Sequence, residues 1–426
     1  MSTAPGTLAG TTWSQPGVGT AAVIAPYSGD GYAEAFARKG WKTVAVDLDA
    51  RTLPPALARS AIRGPYGSVV EHHGSLRQTV RTLSKLDVTA VVAGSAAGIP
   101  LADRIASQLG LPGGTPETSH LRCDRGAQAA ALAAAGVLAP ASVRTTSVSE
   151  ALAWTELFPL SSYILAPAAV GTPVEPVTCT NELAIAAAWP AMRREAARHS
   201  GDAHLVLTEN IPGRQYLVRS ITRTGPQGQS DHLVTDIWSE TRFAVGRLDR
   251  TDLLDRQPLL TRALSMYTLR ALDVLAVVSG PVVSRIAYSA NRGPLLVSAL
   301  AAPDGSLADE ALRTATGHDR SADVVDAWTS ASPSEPGPVP SGRRVVRVHL
   351  RPTEAGNGID PWLGRIVRQL PTVAAMSTEL RPHTAPTVSA VGAEVVLSSD
   401  EPEVIEADYR VIRALERGLC RRQGGR

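Results

Sequence analysis

Apolar and polar positions follow two different periods along residues 1–115. Short β-branched runs at residues 21–25, 43–46 and 89–93 are separated by segments with helical spacing, Tyr32–Lys39 and Leu101–Leu109. Strands that alternate with helices favour a parallel, doubly wound sheet, in which ligands bind at the carboxyl ends of the strands. The first part of the chain is therefore predicted to be a Rossmann-like α/β domain.

Glycines follow two of these predicted strands. Gly29, Gly31 and Gly94 lie at the strand ends, but Glu34 stands where a G-x-G-x-x-G fingerprint has its third glycine. A dinucleotide site is therefore not predicted there. His72 and His73 have no further metal-ligating residues at a suitable spacing and are predicted to lie in a loop.

The middle of the chain has an α+β pattern with an antiparallel character. Long helices are predicted at Glu182–Arg198 and Leu259–Leu275, and a shorter one at Cys123–Ala135. The predicted strands lie at residues 141–143, 162–166, 204–208, 215–221, 232–237, 282–288 and 295–300.

A Pro- and Ser-rich stretch, residues 329–342, is typical of a linker and divides the middle from the tail. The tail, residues 343–426, has two predicted strands, Val345–Leu350 and Glu394–Leu397, and an amphipathic helix, Ile405–Leu419.

Composition excludes several classes of protein. With 426 residues and 44% apolar residues the chain can bury sizeable cores, and a net charge of +2 argues against a nucleic-acid-binding protein. No apolar run is long enough to span a membrane, and Met1–Thr20 lacks the features of a signal peptide. The cysteines, Cys123, Cys179 and Cys420, are too far apart for a disulfide framework or a zinc site. A cytoplasmic protein is predicted.

Lysine is nearly absent. Only Lys39, Lys42 and Lys85 are lysines among 42 basic residues. A GC-rich coding sequence also produces such a bias, but any mechanism that needs a lysine within residues 86–426 is excluded. No G-x-S-x-G motif of a serine hydrolase occurs either.

Six stretches in order resemble the ATP-grasp superfamily, and the nearest branch is similar to carboxylate–amine ligases related to bacterial L-amino-acid ligases. They include the Gly94-Ser95 turn with its Ala-Asp helix, a Leu-Gly-Leu-Pro-Gly exit and a Gly-x-Gln-Tyr strand pair. The six stretches are residues 91–113, 121–140, 209–216, 234–238, 280–296 and 408–416.

The resemblance implies a Rossmann-like pre-grasp domain (1–115), a clamp of two subdomains (116–328), the linker (329–342) and a C-terminal domain that completes the grasp fold (343–426). Such ligases bind ATP in the clamp, phosphorylate a carboxylate and couple the acyl phosphate to an amine. Lysines neutralise the phosphates, acidic residues hold Mg²⁺, and an arginine steadies the acyl phosphate. A homodimer through the pre-grasp domain is expected by analogy.

The resemblance fails at the residues that carry the chemistry. Where the family has phosphate lysines this sequence has Arg125 and Ala166, and where it has metal carboxylates this sequence has Arg285 and Ser298. No Asp or Glu occurs in residues 277–302. The other departures are Gln215 for the ribose glutamate, Ala96 for the glutamate of the early turn, Leu300 and Ala302 for an asparagine and an arginine, and Ala168–Thr172 for the phosphate-covering loop.

Each candidate also has an ordinary structural interpretation. Arg125 either contacts an anion or lies on a helix surface, and Arg285 either pairs with a carboxylate or anionic ligand or faces outward from its strand. Glu209 either lies at the adenine-side hinge or is a solvated strand end. These positions are the predicted, degenerate nucleotide and metal site.

Two hypotheses about function follow. The first is a degenerate ATP-grasp homologue, a pseudoenzyme that binds no metal or cofactor and either assists an active ligase paralogue or binds a small anionic or amino-acid-like ligand. The alternative is an active carboxylate–amine ligase that uses ATP and Mg²⁺ in an arginine-based site. Carboxylates from elsewhere in the chain that fill the metal space (Glu209, Asp236 or Glu240) would favour the alternative.

Overall fold

The computed structural model describes residues 19–27, 31–58, 62, 64–224, 229–243, 248–254, 258–303, 313, 319–329, 344–350, 359–377 and 393–423. For residues 419–423 it describes the backbone only. The first sheet is parallel, with strand order β3-β2-β1-β4. Its elements are β1 (Thr20–Ile24), α1 (Tyr32–Arg38), β2 (Lys42–Leu48), β3 (Ser68–His72), α2 (Leu76–Lys85), β4 (Val88–Ala93) and α3 (Ile99–Leu109). The predicted parallel α/β sheet is confirmed.

Neither β3 nor α2 is predicted from the sequence pattern. The prediction that His72 lies in a loop is wrong, because His72 ends β3 and pairs with Leu48 of β2. The turn between β4 and α3 lies very close to the end of β1, since a Cβ on Gly98 would stand 2.3 Å from the carbonyl oxygen of Ile24. Only glycine permits that approach.

A second sheet is antiparallel, with strand order β5-β8-β6-β7. Its elements are α4 (Arg125–Ala134), β5 (Ser142–Thr145), α5 (Val148–Leu157), β6 (Tyr163–Pro167), β7 (Val177–Cys179), α6 (Glu182–Ser200) and β8 (Leu205–Glu209). Buried apolar side chains of α6, such as Ile185 and Trp189, pack with Leu165 and Leu207 of the sheet.

The third sheet has eight strands in the order β13-β12-β9-β10-β11-β14-β16-β15, and its described pairings are antiparallel. Its strands are β9 (Arg214–Thr224), β10 (Ser230–Arg242), β11 (Leu248–Leu253), β12 (Gly280–Ser289), β13 (Gly293–Leu300), β14 (Arg344–Leu350), β15 (Val373–Ser377) and β16 (Ala393–Ser399).

The two faces of this large sheet differ because side chains alternate along each strand. One face packs against α7 (Pro258–Val274) through apolar residues such as Val218, Ile237 and Ile286. The other face carries Trp238 and a row of buried charged side chains, which the next subsection describes.

Three further helices complete the described chain: α8 (Arg320–Thr329), α9 (Pro361–Val367) and α10 (Pro402–Gln423). Helix α8 was not predicted, and Asp319, which directly precedes it, forms an ion pair with Arg38 of α1 at 2.8 Å. Thr329, placed in the linker by the prediction, ends α8, and residues 330–342 lie outside the described residues. The predicted amphipathic helix is α10, which buries Ile405 and Ile412.

None of the helices that the structure describes combines the length and apolar character that crossing a membrane requires.

Candidate functional site

Arg285 and Ser298 lie directly opposite each other on β12 and β13. Opposed residues of an antiparallel pair project from the same face of the sheet, here the charged face. Both are buried, with 5% and 2% of their surface exposed. The interpretation of Arg285 as an outward-facing strand residue is therefore wrong.

Arg285 is paired with a carboxylate of β10. Its Nε and Nη2 donate to Oε1 of Glu240 at 3.2 and 3.0 Å, and Arg242 donates to Oε2 of Glu240 at 2.8 Å. Burial alone would raise the pKa of Glu240, but the charges and hydrogen bonds of Arg285 and Arg242 outweigh it and hold the pKa below its ordinary value. Glu240 is thus an ionised carboxylate shared by two guanidinium groups.

A second carboxylate of β10, Asp236, is engaged in the same way. Its oxygens lie 3.5 Å from nitrogens of Arg219 and of Arg320, the first residue of α8. The indole nitrogen of Trp238 also donates to Asp236. The opposing charges and these hydrogen bonds hold the pKa of Asp236 below its ordinary value despite its burial.

Trp238 lies between two cations on this face. The guanidinium carbons of Arg219 and Arg347 stand 5.8 and 4.8 Å from the centre of its ring. These distances are typical of cation–π contacts. Arg347, on β14, extends the charged row to the far side of the sheet.

Arg125 begins α4 and is 7% exposed, so its interpretation as a surface residue is wrong. Its Nη1 donates to the carbonyl of Pro167 at 2.6 Å, directly after the buried Ala166 at the end of β6. Burial, together with the nearby charge of Arg285, lowers the pKa of Arg125 to about 10. The two positions matched to phosphate lysines therefore do lie side by side.

The segment Ala168–Thr172, matched to the phosphate-covering loop, is part of the core. Arg125 N donates to the carbonyl of Ala168 at 2.9 Å, and Val170 N donates to that of Cys123 at 2.7 Å. Val170 is buried in one apolar cluster with Leu300 and Ala302 at the end of β13 and with Ile99 of α3.

Gly171 of the same segment reaches the turn after β4. Its φ is +88°, and an added Cβ would stand only 2.8 Å from the Cβ of Ala96. The segment therefore joins all three sheets at one apolar contact.

Glu209 is the last residue of β8, and its side chain contacts the third sheet. Arg292, in the turn between β12 and β13, donates to its two oxygens at 2.9 and 2.8 Å, and Ala141 N donates to Oε1 at 3.0 Å. The Glu209 side chain is only 12% exposed, so it is not a solvated strand end. Gln215 of β9 stands opposite Glu240 in the sheet, which places it beside the Arg285 pair.

A Mg²⁺ site of the kind that the resemblance implies does not fit these residues. The two matched positions offer a guanidinium and a hydroxyl where Mg²⁺ needs carboxylate oxygens. Among the described residues no group of three or more His, Cys, Asp or Glu side chains is placed to hold a metal ion.

Val170, in the segment matched to the phosphate-covering loop, packs in one buried apolar cluster with Leu300 and Ala302.

Two carboxylates of β10, Glu240 and Asp236, do lie on the charged face beside the positions matched to metal ligands. Each is already the partner of two arginines, so neither offers an open pair of oxygens to a metal. They neutralise arginine charge instead.

Arg347 and Arg320, two members of this row, are not predicted from the sequence. Arg347 shares one face of β14 with Val345 and His349. Its signal in the sequence was a charged residue between the valines at positions 346 and 348. Arg320 carried none, because α8 itself was not predicted.

No protein-family model matches the sequence, and no curated protein sequence matches it either. Solved structures do match. An L-amino acid ligase from Bacillus licheniformis has a TM-score of 0.72 at 15% identity, over 94% of this chain and 98% of that chain. The N5-carboxyaminoimidazole synthase of Aspergillus clavatus, solved with ADP and its ribonucleotide, has a TM-score of 0.68 at 10% identity, over 94% and 99%.

A third match is the biotin carboxylase domain dimer of the Hydrogenobacter thermophilus 2-oxoglutarate carboxylase, solved with MgADP, ADP and bicarbonate. Its TM-score is 0.61 at 12% identity, over 89% of this chain and 86% of that chain. The predicted fold is confirmed: this chain has the ATP-grasp fold, with its Rossmann-like N-terminal part.

Proposed function

We propose that this protein is a degenerate ATP-grasp homologue that does not carry out Mg²⁺·ATP-dependent activation of a carboxylate. It acts in a biosynthetic pathway, either as the non-catalytic partner of an active ligase or through a cleft reused for a small anionic or amino-acid-like ligand. The observation that carries the proposal is the buried pair of Arg285 and Glu240 at the position matched to the first metal ligand.

The sign of the local charge supports this proposal. A metal ion bridging phosphates requires an excess of negative charge, whereas Glu240 is engaged by both Arg285 and Arg242, and Arg125 adds its positive charge near Arg285. A cation placed there is repelled, and an anion is attracted.

The energetic cost supports it as well. Removing one preorganised donor from a charge-stabilising site costs about 3–4 kcal/mol of transition-state stabilisation. Here both lysines, both metal carboxylates and the acyl-phosphate arginine are replaced together. The sum of such losses removes any useful rate of ligation.

The packing of segment 168–172 gives a separate reason. Val170 is 2% exposed and contacts Leu300, so a triphosphate would have to displace buried apolar side chains. We expect no cofactor and no metal in this cleft.

The alternative is an active, ATP-dependent carboxylate–amine ligase that uses ATP and Mg²⁺. Two features favour it: Arg125 keeps a positive charge at the first lysine position, and Glu240 and Asp236 bring carboxylates to the cleft. Arginine binds phosphate well but as a planar fork rather than as a point charge.

Calorimetry with ATP, with and without Mg²⁺, tests the proposal. We expect no Mg²⁺-dependent heat of binding, and no phosphate release when a panel of amino acids supplies both carboxylate and amine. Micromolar binding of ATP that needs Mg²⁺, together with phosphate release, would establish the alternative.

We also propose a cytoplasmic location, the domain boundaries at residues 115, 328 and 342, and assembly as a homodimer or with a ligase paralogue. The dimer is supported by the form in which the Hydrogenobacter domain was solved. Light scattering after size-exclusion chromatography measures the mass directly, and a single 44.6 kDa species would exclude the homodimer.

A further inference from the structure

Six arginines among the described residues are buried: Arg122, Arg125, Arg219, Arg285, Arg347 and Arg413. Five of them form an ion pair. The pairs are Arg122 with Asp103 (2.5 Å), Arg219 with Asp236 (3.5 Å), Arg285 with Glu240 (3.0 Å), Arg347 with Glu394 (3.8 Å) and Arg413 with Asp249 (2.5 Å). Arg125 has no carboxylate partner among the described residues.

One carboxylate, that of Asp124, acts on the charge of Arg125, but its oxygens bond to other groups. Its Oδ1 caps α4 by accepting from Ala127 N at 2.9 Å, and its Oδ2 accepts from Arg144 at 2.8 Å. The other side chain that acts on Arg125 is Arg285, which is a cation. Arg125 is thus a buried guanidinium whose one described side-chain hydrogen bond goes to a neutral carbonyl, that of Pro167, and whose charge is only partly offset by Asp124.

We infer that Arg125 binds a small oxyanion, a carboxylate or a phosphate group, in the absence of any metal. This inference rests on the proposed function and names the ligand class of the same cleft. The planar guanidinium matches the two oxygens of such a group.

The apolar contact beside Arg125 limits the size of the ligand. The backbone N–H of Arg125 donates to the carbonyl of Ala168, so the segment that buries Val170 against Leu300 lies beside the start of α4. A single oxyanion group needs contact with the guanidinium only, whereas a nucleoside triphosphate must also displace Val170.

The probes are inorganic phosphate and acetate, each added to the full chain with EDTA at constant ionic strength, and the readouts are thermal unfolding and calorimetry. We expect at least one probe to bind and to raise Tm. In Arg125→Gln its affinity should fall by about tenfold or more, the value expected for one charge-assisted hydrogen bond. The probe that binds more tightly distinguishes a phosphate ligand from a carboxylate ligand.

The sign of the change in Tm without probe gives a second readout. Arg125→Gln removes a buried charge that has no ion-pair partner among the described residues and should leave Tm unchanged or higher, whereas Arg122→Gln strands Asp103 and should lower it. Arg144→Gln removes a neighbouring positive charge and should keep the response to the probe. If Arg125→Gln does not fold, Arg125→Lys, which keeps the charge but loses the fork, should bind the probe more weakly.

The inference is overturned if neither probe binds the unmodified protein, or if the probe binds Arg125→Gln as tightly as the unmodified protein. Binding of ATP that requires Mg²⁺ would instead overturn the proposed function. The two failures are therefore distinguishable in one set of titrations.

Discussion

Arg285 donates both Nε and Nη2 to a single oxygen of Glu240, while the other oxygen of Glu240 accepts from Arg242. Both partners of the pair are nearly inaccessible to solvent. A buried ion pair costs much to desolvate and stabilises a protein only while it is complete. The pair is therefore sensitive to the loss of either member.

Glu240→Gln should lower the free energy of unfolding by about 3–5 kcal/mol, because it leaves two guanidinium groups without their shared charge. Urea denaturation measures the change. Glu195→Gln is the matched control, since Glu195 is an exposed partner of Arg198 and should cost at most about 0.5 kcal/mol. Equal effects of the two substitutions would show that the Arg285 pair is dispensable.

His349 should make the protein less stable as the pH falls from 7 to 5. Burial, reinforced by Arg347 and Arg413 and opposed by Glu394 and Glu240, lowers the pKa of His349 to about 4. In the unfolded chain the pKa of histidine is about 6.5. Between this pKa and the lower folded pKa, the unfolded state binds more protons than the folded state. Its stabilising contribution is complete above the unfolded pKa and is lost as the pH falls through the folded pKa.

Within that window the His349 contribution falls by up to about 1.4 kcal/mol per pH unit. Urea denaturation at pH 7 and pH 5 measures it. His349→Gln should flatten the dependence, whereas His73→Gln, at an exposed position, should leave it intact. A His349→Gln variant with the unmodified pH dependence would contradict the assignment.

Gly171→Ala should destabilise the protein by about 1–3 kcal/mol, because the new Cβ meets Ala96 and the backbone has a positive φ. Gly74 isolates the two causes, since its φ is +81° but nothing lies within 4 Å of an added Cβ. Gly74→Ala should therefore cost less than Gly171→Ala in thermal unfolding. Equal losses of stability in the two variants would mean that segment 168–172 can shift away from Ala96 without a measurable loss of stability.

The double variant Arg285→Glu and Ser298→Glu should gain a response to divalent cations. It places two carboxylates opposite each other beside Glu240, and such a cluster of like charges binds hard cations or takes up protons. We expect Mg²⁺ or Mn²⁺ to raise the Tm of the variant and not that of the unmodified protein. A variant that folds but does not respond to either ion would contradict the match of these positions to a metal site.

The sequence predicted much of the fold because strong periodic patterns and ordered motifs do not depend on tertiary contacts. It missed β3, a five-residue edge strand in which only Val69 and Val70 are apolar, and α2, although Ser75 accepts from Gln78 N as an N-cap should. A short amphipathic helix without a long apolar stripe gave a weak signal.

The candidate site was predictable as a set of positions but not as an arrangement. The resemblance placed Arg125, Ala166, Arg285 and Ser298, but it left open whether the two arginines are buried. That question depends on strand register and on the position of Glu240 relative to Arg285, both of which depend on contacts distant in sequence.

Trp238 gives the charged face an optical property of its own. The indole is fully buried, is hydrogen bonded to a carboxylate and has a guanidinium on either side. The excited state of an indole shifts charge across its two rings, so its emission energy depends on the charges around it. Movement of Arg219 or Arg347 will therefore shift the emission maximum of Trp238. The protein thus carries a native fluorescent reporter of changes on its charged face.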